Sequence, residues 1–568
     1  MVALPENIPV VNASMELSEC RDRWTFDETY HCWCLEDVLY TSRADVPRFQ
    51  RLSIFVPAPY LHADGTPDPE GELNGYTGKT APVVFENNAA GYMQMPHTWL
   101  GGPRCYAEPY LKHGLIYVTC GCRGRDSRNA EGLAVGKSPI TLIDLKTAIR
   151  FLRHNRAALP GDLNRILSVG WSAGGAMSSL LGVTGDNRLY DPYLEAAGAF
   201  MEESDAVYAA QIYCPIIDLE HADQAYEWCF RADATCENSP AGPAETMTPF
   251  KKALSAKLSE RYVDYVNSLH LTDPETGTPL TLNPGGRSGS FYDCLMRCLS
   301  RSATEFLTRL EQGRLAKTYT VEDYLSGQYT YEAPAPRPAA ANPGLHHAGP
   351  GIGIPGDPSS HRSPPSLGEL MSRPPRGVPF VEQKPEMVQL PGTDKRSWLS
   401  WDGVHASVHD LDAYVLQHRR RMKPCTSFDK LPCDSGENHE FGTPETDYVH
   451  FNPVIGEVLR ELKDEYPREA ASYEGAFDVA GDAALSERVF LINPLNFIGT
   501  VQKSTQAAYY RIRVGARDAD TSLSVAMTLA LKLADAGLPV DYALVWDQPH
   551  SEADYEGEIL KWIDAICR

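Results

Sequence analysis

The sequence predicts an α/β fold, on three observations: short apolar strands alternate with amphipathic helices near both ends of the chain, a Gly-rich strand-to-helix turn carries a serine, and a long non-repeating middle interrupts the alternation. Leu52 to Val56, Pro82 to Phe85 and Leu115 to Thr119 are apolar, partly β-branched runs bounded by Pro and Gly, as buried strands are. Leu142, Leu145, Ile149 and Leu152 then recur at helical spacing and stop before Pro160-Gly161, which predicts a crossover helix with one face on the sheet. A strand through Ile166, Leu167 and Val169 runs into Gly170-Trp171-Ser172-Ala173-Gly174-Gly175, and another covers Val207 to Tyr213. The rhythm resumes late in the chain. Tyr509 to Val514 reads as a strand, Thr521 to Ala536 as a helix closed by Gly537, Val540 to Trp546 as a strand and Asp554 to Ile566 as a terminal helix.

Between these portions the chain turns helical, aromatic and charged from about Pro215, and the stretch from Pro334 to Pro379 holds twelve prolines. No compact sheet runs through such a stretch, so it reads as a disordered excursion, with His346 and His347 as solvated loop residues. The expected organisation is a core portion at 1–214, an inserted lid domain at 215–488 and a second core portion at 489–568.

Composition limits what such a chain does. Its 568 residues, 43% of them hydrophobic, are enough for a large core. The 75 acidic against 52 basic residues give a net charge of −23, which repels phosphate backbones and anionic lipid and argues against nucleic acid or a membrane surface as partner. The first twenty residues lack a basic segment followed by an apolar one, and no run reaches membrane-spanning length, so the expectation is a soluble cytoplasmic protein. The fourteen cysteines are scattered; Cys32-X-Cys34 and Cys120-X-Cys122 lack the partner spacing of a zinc site and read as buried free thiols. No metal or other cofactor is expected.

Gly170 to Gly175 has the form of a nucleophile elbow, in which small neighbours let strand and helix approach closely enough to hold a serine in a strained, exposed position. A serine nucleophile needs a base and an acid to orient it, and in α/β-hydrolases they follow in the order Ser, acid, His at the C-terminal ends of core strands. Among sixteen histidines, only His550 lies just after a late core strand. Asp518, in the turn after Tyr509 to Val514, is the favoured acid, with Asp520 and Asp218 as competitors. The N–H of Ala173 is one expected oxyanion donor. The second is expected from Ala90 or its neighbour, in the small-residue turn after Pro82 to Phe85.

With those residues in view, GYTGKTAPVVF followed by AAGYM, the elbow GWSAGGAMSSLLG, YCPIIDLEHADQAYEW, RVGARDADTSLSVA and WDQPHSEADY together resemble the bacterial tannases, or tannin acyl hydrolases, over about two thirds of the chain. The resemblance implies an α/β-hydrolase core with a large inserted lid, a triad of Ser172, Asp518 and His550, and a galloyl-binding trio of Lys423, Glu437 and Asp520. One ammonium and two carboxylates suit a ring bearing three phenolic hydroxyls. Without the resemblance, Lys423 and Glu437 read as part of a solvated charged face. Fungal tannases carry paired cysteines beside the nucleophile and the histidine, whereas here Trp171 and Ala173 flank Ser172 and Ser551 follows His550, which implies no disulfide at the site. The expected activity is hydrolysis of galloyl esters through an acyl-enzyme, with a small phenolic ester as partner; a feruloyl esterase, a serine peptidase and a catalytically silent binding protein are the alternatives.

Overall fold

The structure is a computed structural model and describes residues 14–87, 89–102, 105–236, 245–327, 396–500 and 503–568, with two-residue strands at Tyr331–Glu332 and Met387–Val388. The Pro334 to Pro379 stretch and its two histidines lie outside the described residues.

Nine strands form one sheet: β1 (Thr25–Asp27), β2 (Cys32–Leu39), β3 (Arg51–Pro57), β4 (Pro82–Asn87), β5 (Ile116–Cys120), β6 (Asp162–Trp171), β7 (Ala209–Tyr213), β8 (Tyr509–Gly515) and β9 (Val540–Val545). Their order is β1-β2-β3-β5-β4-β6-β7-β8-β9. Pairing is antiparallel from β1 to β5 and parallel from β5 onward. Strands β3, β5 and β7 are buried along their whole length, which is why they read as continuous apolar runs rather than as alternations. Helices α1 (Ala107–His113), α2 (Ile140–His154) and α3 (Ala173–Val183) make the early crossovers, giving the α/β-hydrolase fold.

Each expected core strand and helix is present, with ends shifted by a few residues. Two findings differ from the sequence reading. Strands β1 and β2 do not stand out in the sequence, because a bulge between Leu35 and Val38, with Asp37 at φ 60°, breaks the alternation of β2. Helix α2 is buried nearly all round rather than on one face. Its polar side is covered as well, and its charges are paired there: Lys146 and Arg150 both meet Asp205, at 2.7 and 2.6 Å, and Asp144 meets Arg123 at 2.7 Å.

Among the described residues, none between Tyr213 and Tyr509 adds a strand to this sheet. That span carries α4 (Leu219–Phe230), α5 (Pro249–Ser268), α6 (Ser290–Glu311) and α7 (Gly436–Glu440), before α8 (Leu523–Asp535) and α9 (Glu558–Cys567) complete the core. It has a small core of its own, in which Phe250, Leu254 and Leu258 of α5 pack with Ile455 and Val458. Helix α6 packs along β9 and covers the sheet edge. All fourteen cysteines are free thiols, and Cys32, Cys34, Cys120 and Cys122 are buried. No helix among the described residues is long and apolar enough to cross a membrane.

Candidate active site

The site begins with backbone strain. Ser172, between β6 and α3, has φ 59° and ψ −126°, a conformation costing about 1–3 kcal/mol that persists only where its surroundings enforce it. Its N–H donates to the Tyr213 carbonyl at 3.2 Å, and its own carbonyl accepts from Ile216 N at 3.2 Å and Ala176 N at 3.0 Å. The flanking glycines are required by space. A Cβ on Gly170 would lie 2.3 Å from the Gly174 carbonyl, one on Gly174 2.7 Å from Asn87 Oδ1, and one on Gly175 2.4 Å from the Tyr213 carbonyl. Ser172 itself is half-buried.

The acid and the imidazole follow β8 and β9. Gly515 lets the two loops touch: a Cβ there would fall 2.2 Å from the Pro549 carbonyl, and Arg517 N donates to the Gln548 carbonyl at 2.9 Å. His550 Nδ1 lies 2.9 Å from Asp518 Oδ2, and Asp518 Oδ1 accepts the Asp520 N–H at 2.9 Å. Asp518 is fully buried. Burial alone would raise its carboxyl, but the facing imidazole and its hydrogen bond hold it below the usual carboxylate range. Burial likewise opposes charging of His550, yet Asp518, aided by Asp520, raises it well above 6.5. The competing acids sit apart from this pair: Asp520 Oδ2 is 3.9 Å from Nδ1, and Asp218 is engaged with His221, Tyr265 and Asn493.

The turn Ala90–Tyr92 after β4 packs against α3, so Ala90 and Ala173 share one end of the site. Gly91 at φ 59° forms the turn. Helix α7, carrying Glu437, packs on the same turn. A buried framework holds α7 in place. Ser435 and Asn438 cap its start reciprocally, Asn438 Nδ2 donates to Asp429 Oδ1 at 2.7 Å, and Asp223 accepts three backbone N–H groups from Ser427 to Asp429.

Lys423 is brought to the acid loop by one phenol. Tyr226 Oη accepts from Lys423 N at 3.0 Å and Met422 N at 3.1 Å and donates to the Ala519 carbonyl at 3.0 Å, next to Asp520. Arg421 beside it forms a buried two-point pair with Glu227, at 3.0 and 2.6 Å, and Arg419 donates to the Asp518 and Thr521 carbonyls. Of the run Arg419-Arg420-Arg421, Arg419 clamps the loop around Asp518, while Arg420 and Arg421 anchor the segment to Asp233 and Glu227. Lys423, Glu437 and Asp520 are all half-buried, and Lys423 Nζ lies 4.0 Å from the Phe428 ring centroid. Neither the Lys423 ammonium nor the Glu437 carboxylate makes a hydrogen bond or ion pair among the described residues, which leaves their capacity for a ligand.

Sequence reasoning missed Cys214, Tyr226 and Arg419. Cys214 Sγ lies 4.0 Å from His550 Nε2 and donates to the Ser551 carbonyl at 3.3 Å; burial pushes the thiol up, so it stays protonated. Its place directly after β7 was the available signal. Cys214, Asp518 and His550 have ligand atoms within 4.8 Å of one another, as do Asp218, Glu220 and His221, but both sets are occupied with mutual hydrogen bonds.

The family model BD-FAE matches residues 131–248, the segment that carries the elbow. No curated protein matches the sequence. Solved structures do. The native tannin acyl hydrolase from Lactobacillus plantarum superposes with a TM-score of 0.73 at 28% identity, over 98% of this chain and 99% of that one. A tannin acyl hydrolase in complex with ethyl gallate gives 0.70 at 29% identity over 94% of each chain. One in complex with 3,4-dihydroxybenzoate gives 0.69 at 30% identity, again over 94% of each. Full-length similarity at that identity, on a core with this strand order and a strained serine at its elbow, places the chain in the tannase (tannin acyl hydrolase) family.

Proposed function

We propose that this protein is a serine carboxylic ester hydrolase that cleaves galloyl esters and releases gallate. Relatives solved with ethyl gallate and with 3,4-dihydroxybenzoate support the substrate class. The observation that carries the reading is that the Lys423 ammonium and the Glu437 carboxylate have no hydrogen-bond or ion-pair partner among the described residues, on segments tied to the Asp518 loop through Tyr226 and packed on the Ala90 turn.

His550, oriented by Asp518, takes the Ser172 proton as Oγ attacks the ester carbonyl. The N–H of Ala173 and one from the Ala90 turn stabilise the oxyanion. Collapse expels the alcohol, which takes its proton from His550, and leaves a galloyl-serine ester; water, deprotonated by the same imidazole, then releases gallate. Lys423, Glu437 and Asp520 meet the ring hydroxyls. An ester without those hydroxyls leaves half-buried charges unpaired, which makes discrimination steep. The excursion at 215–488 acts as the lid: it supplies Lys423 and Glu437, while the core supplies the chemistry.

The BD-FAE match favours a second reading, a hydroxycinnamoyl esterase with the same triad. Initial rates on methyl gallate, methyl ferulate and methyl benzoate separate the two. Gallate preference of at least two orders of magnitude is expected; faster cleavage of ferulate would replace the first reading by the second.

A further inference from the structure

Two buried side chains beside Glu437, Arg125 and Glu440, each hold a buried polar atom without a hydrogen-bond partner. Arg125 follows β5, and its backbone is pinned to the turn at the elbow's side: Arg125 N donates to the Tyr92 carbonyl at 2.7 Å. Its guanidinium reaches α7, where Nη1 and Cζ lie 2.4 and 2.8 Å from the position a Cβ on Gly436 would take, so the guanidinium packs directly on that glycine. Arg125 is 9% exposed, its Nε has no hydrogen-bond partner, and its guanidinium makes no ion pair among the described residues. Glu440 is 1% exposed, and its Oε2 has no partner either.

Glu440 lies three residues from Glu437 and four from Gly436 on α7, so it shares a face with each. The guanidinium, set against Gly436, is therefore one residue along α7 from Glu437. Arg125 draws the Glu440 carboxyl down and Glu437 pushes it up, so the three groups feel one another, but burial dominates and raises Glu440 to about 8. Arg125 approaches neither carboxylate within 4.0 Å. A buried guanidinium with idle donors is costly, and the cost is relieved when a ligand oxygen occupies the gap.

We propose that Arg125 is a further specificity-determining residue for the acyl ring, donating from its guanidinium to a phenolic oxygen whose proton Glu437 accepts. The ligand class is an aromatic acyl group with adjacent ring hydroxyls. This rests on the galloyl-ester reading and adds to it a second cationic donor, planar and forked where Lys423 is a point charge.

The test is kinetics of Arg125→Met and Arg125→Lys on methyl gallate, methyl 3,4-dihydroxybenzoate and methyl benzoate, with calorimetric binding of gallate to Ser172→Ala and to the Ser172→Ala/Arg125→Met double variant. Arg125→Met is expected to raise KM for methyl gallate about 10- to 100-fold, with kcat nearly unchanged and methyl benzoate unaffected, and to weaken gallate binding by a similar factor. Arg125→Lys is expected to fall between it and the parent. Equal losses on all three esters, or unchanged KM and gallate affinity, would overturn the proposal. A parent enzyme without gallate preference would instead overturn the reading on which it rests.

Discussion

The molecule contains two sets of serine, histidine and aspartate that are placed differently: one is joined throughout by hydrogen bonds, and the other, Ser172 with the hydrogen-bonded His550–Asp518 pair, is the proposed catalytic set. In the first, Ser53 Oγ meets His97 Nδ1 at 2.8 Å and His97 Nε2 meets Asp37 Oδ1 at 2.9 Å. In the second, His550 Nδ1 meets Asp518 Oδ2 at 2.9 Å, and Ser172 occupies the turn between β6 and α3. The burial gradients run in opposite directions. Ser53 is sealed within β3, while the Asp37 side chain is 56% exposed; Asp518 is sealed, while Ser172 is half-buried and has positive φ. Connectivity alone therefore does not make a nucleophile. A strained turn at a strand's C-terminal end does, when the acid lies on the dry side and the hydroxyl on the accessible side.

Substitution of the two serines is the sharpest way to break this contrast. Ser172→Ala should lower kcat on methyl gallate by about 10⁴-fold or more, while Ser53→Ala should leave it within about twofold. Next in size, Asp518→Asn should cost about 10⁴-fold through loss of imidazole orientation, and Asp218→Asn no more than about tenfold, measured the same way. Lys423→Met or Glu437→Gln should lower kcat/KM for methyl gallate by about 10²-fold without a matching loss on methyl benzoate.

The pH profile gives a smaller effect with a definite sign. In the proposed mechanism neutral His550 acts as the base; its surroundings raise it above 6.5, so kcat/KM should climb as pH rises through a value above that of free imidazole. Asp520 contributes to that rise, so Asp520→Asn should move the acidic limb to lower pH. An unmoved limb would remove Asp520 from the electrostatics of the base. Smallest of all, Gly170→Ala should destabilise by about 1–3 kcal/mol in denaturant unfolding, since its Cβ would meet the Gly174 carbonyl.

The core was legible because its central strands β3, β5 and β7 are short, fully buried runs and the crossover helix after β5 keeps its period. The elbow was legible because its glycines are steric necessities. What the sequence hid is carried by distant residues acting on one another. Tyr226 and Arg419 reach the acid loop from far along the chain, and nothing in a tyrosine of a helical segment or an arginine in a basic run announces that it will hold the backbone around Asp518. Strand β2 was hidden for a local reason, the bulge at Asp37. Lys423 and Glu437 were chosen by family resemblance alone, because without tertiary contacts a half-buried charge and a solvated one look alike.

The most direct measurement is labelling of the intact protein with a fluorophosphonate, followed by peptide mass spectrometry. A single adduct on Ser172, slowed by excess gallate and absent from Ser53, is the predicted result. Labelling at another serine, or none while esters are still hydrolysed, would contradict the claim that strain and access at the strand end select the nucleophile.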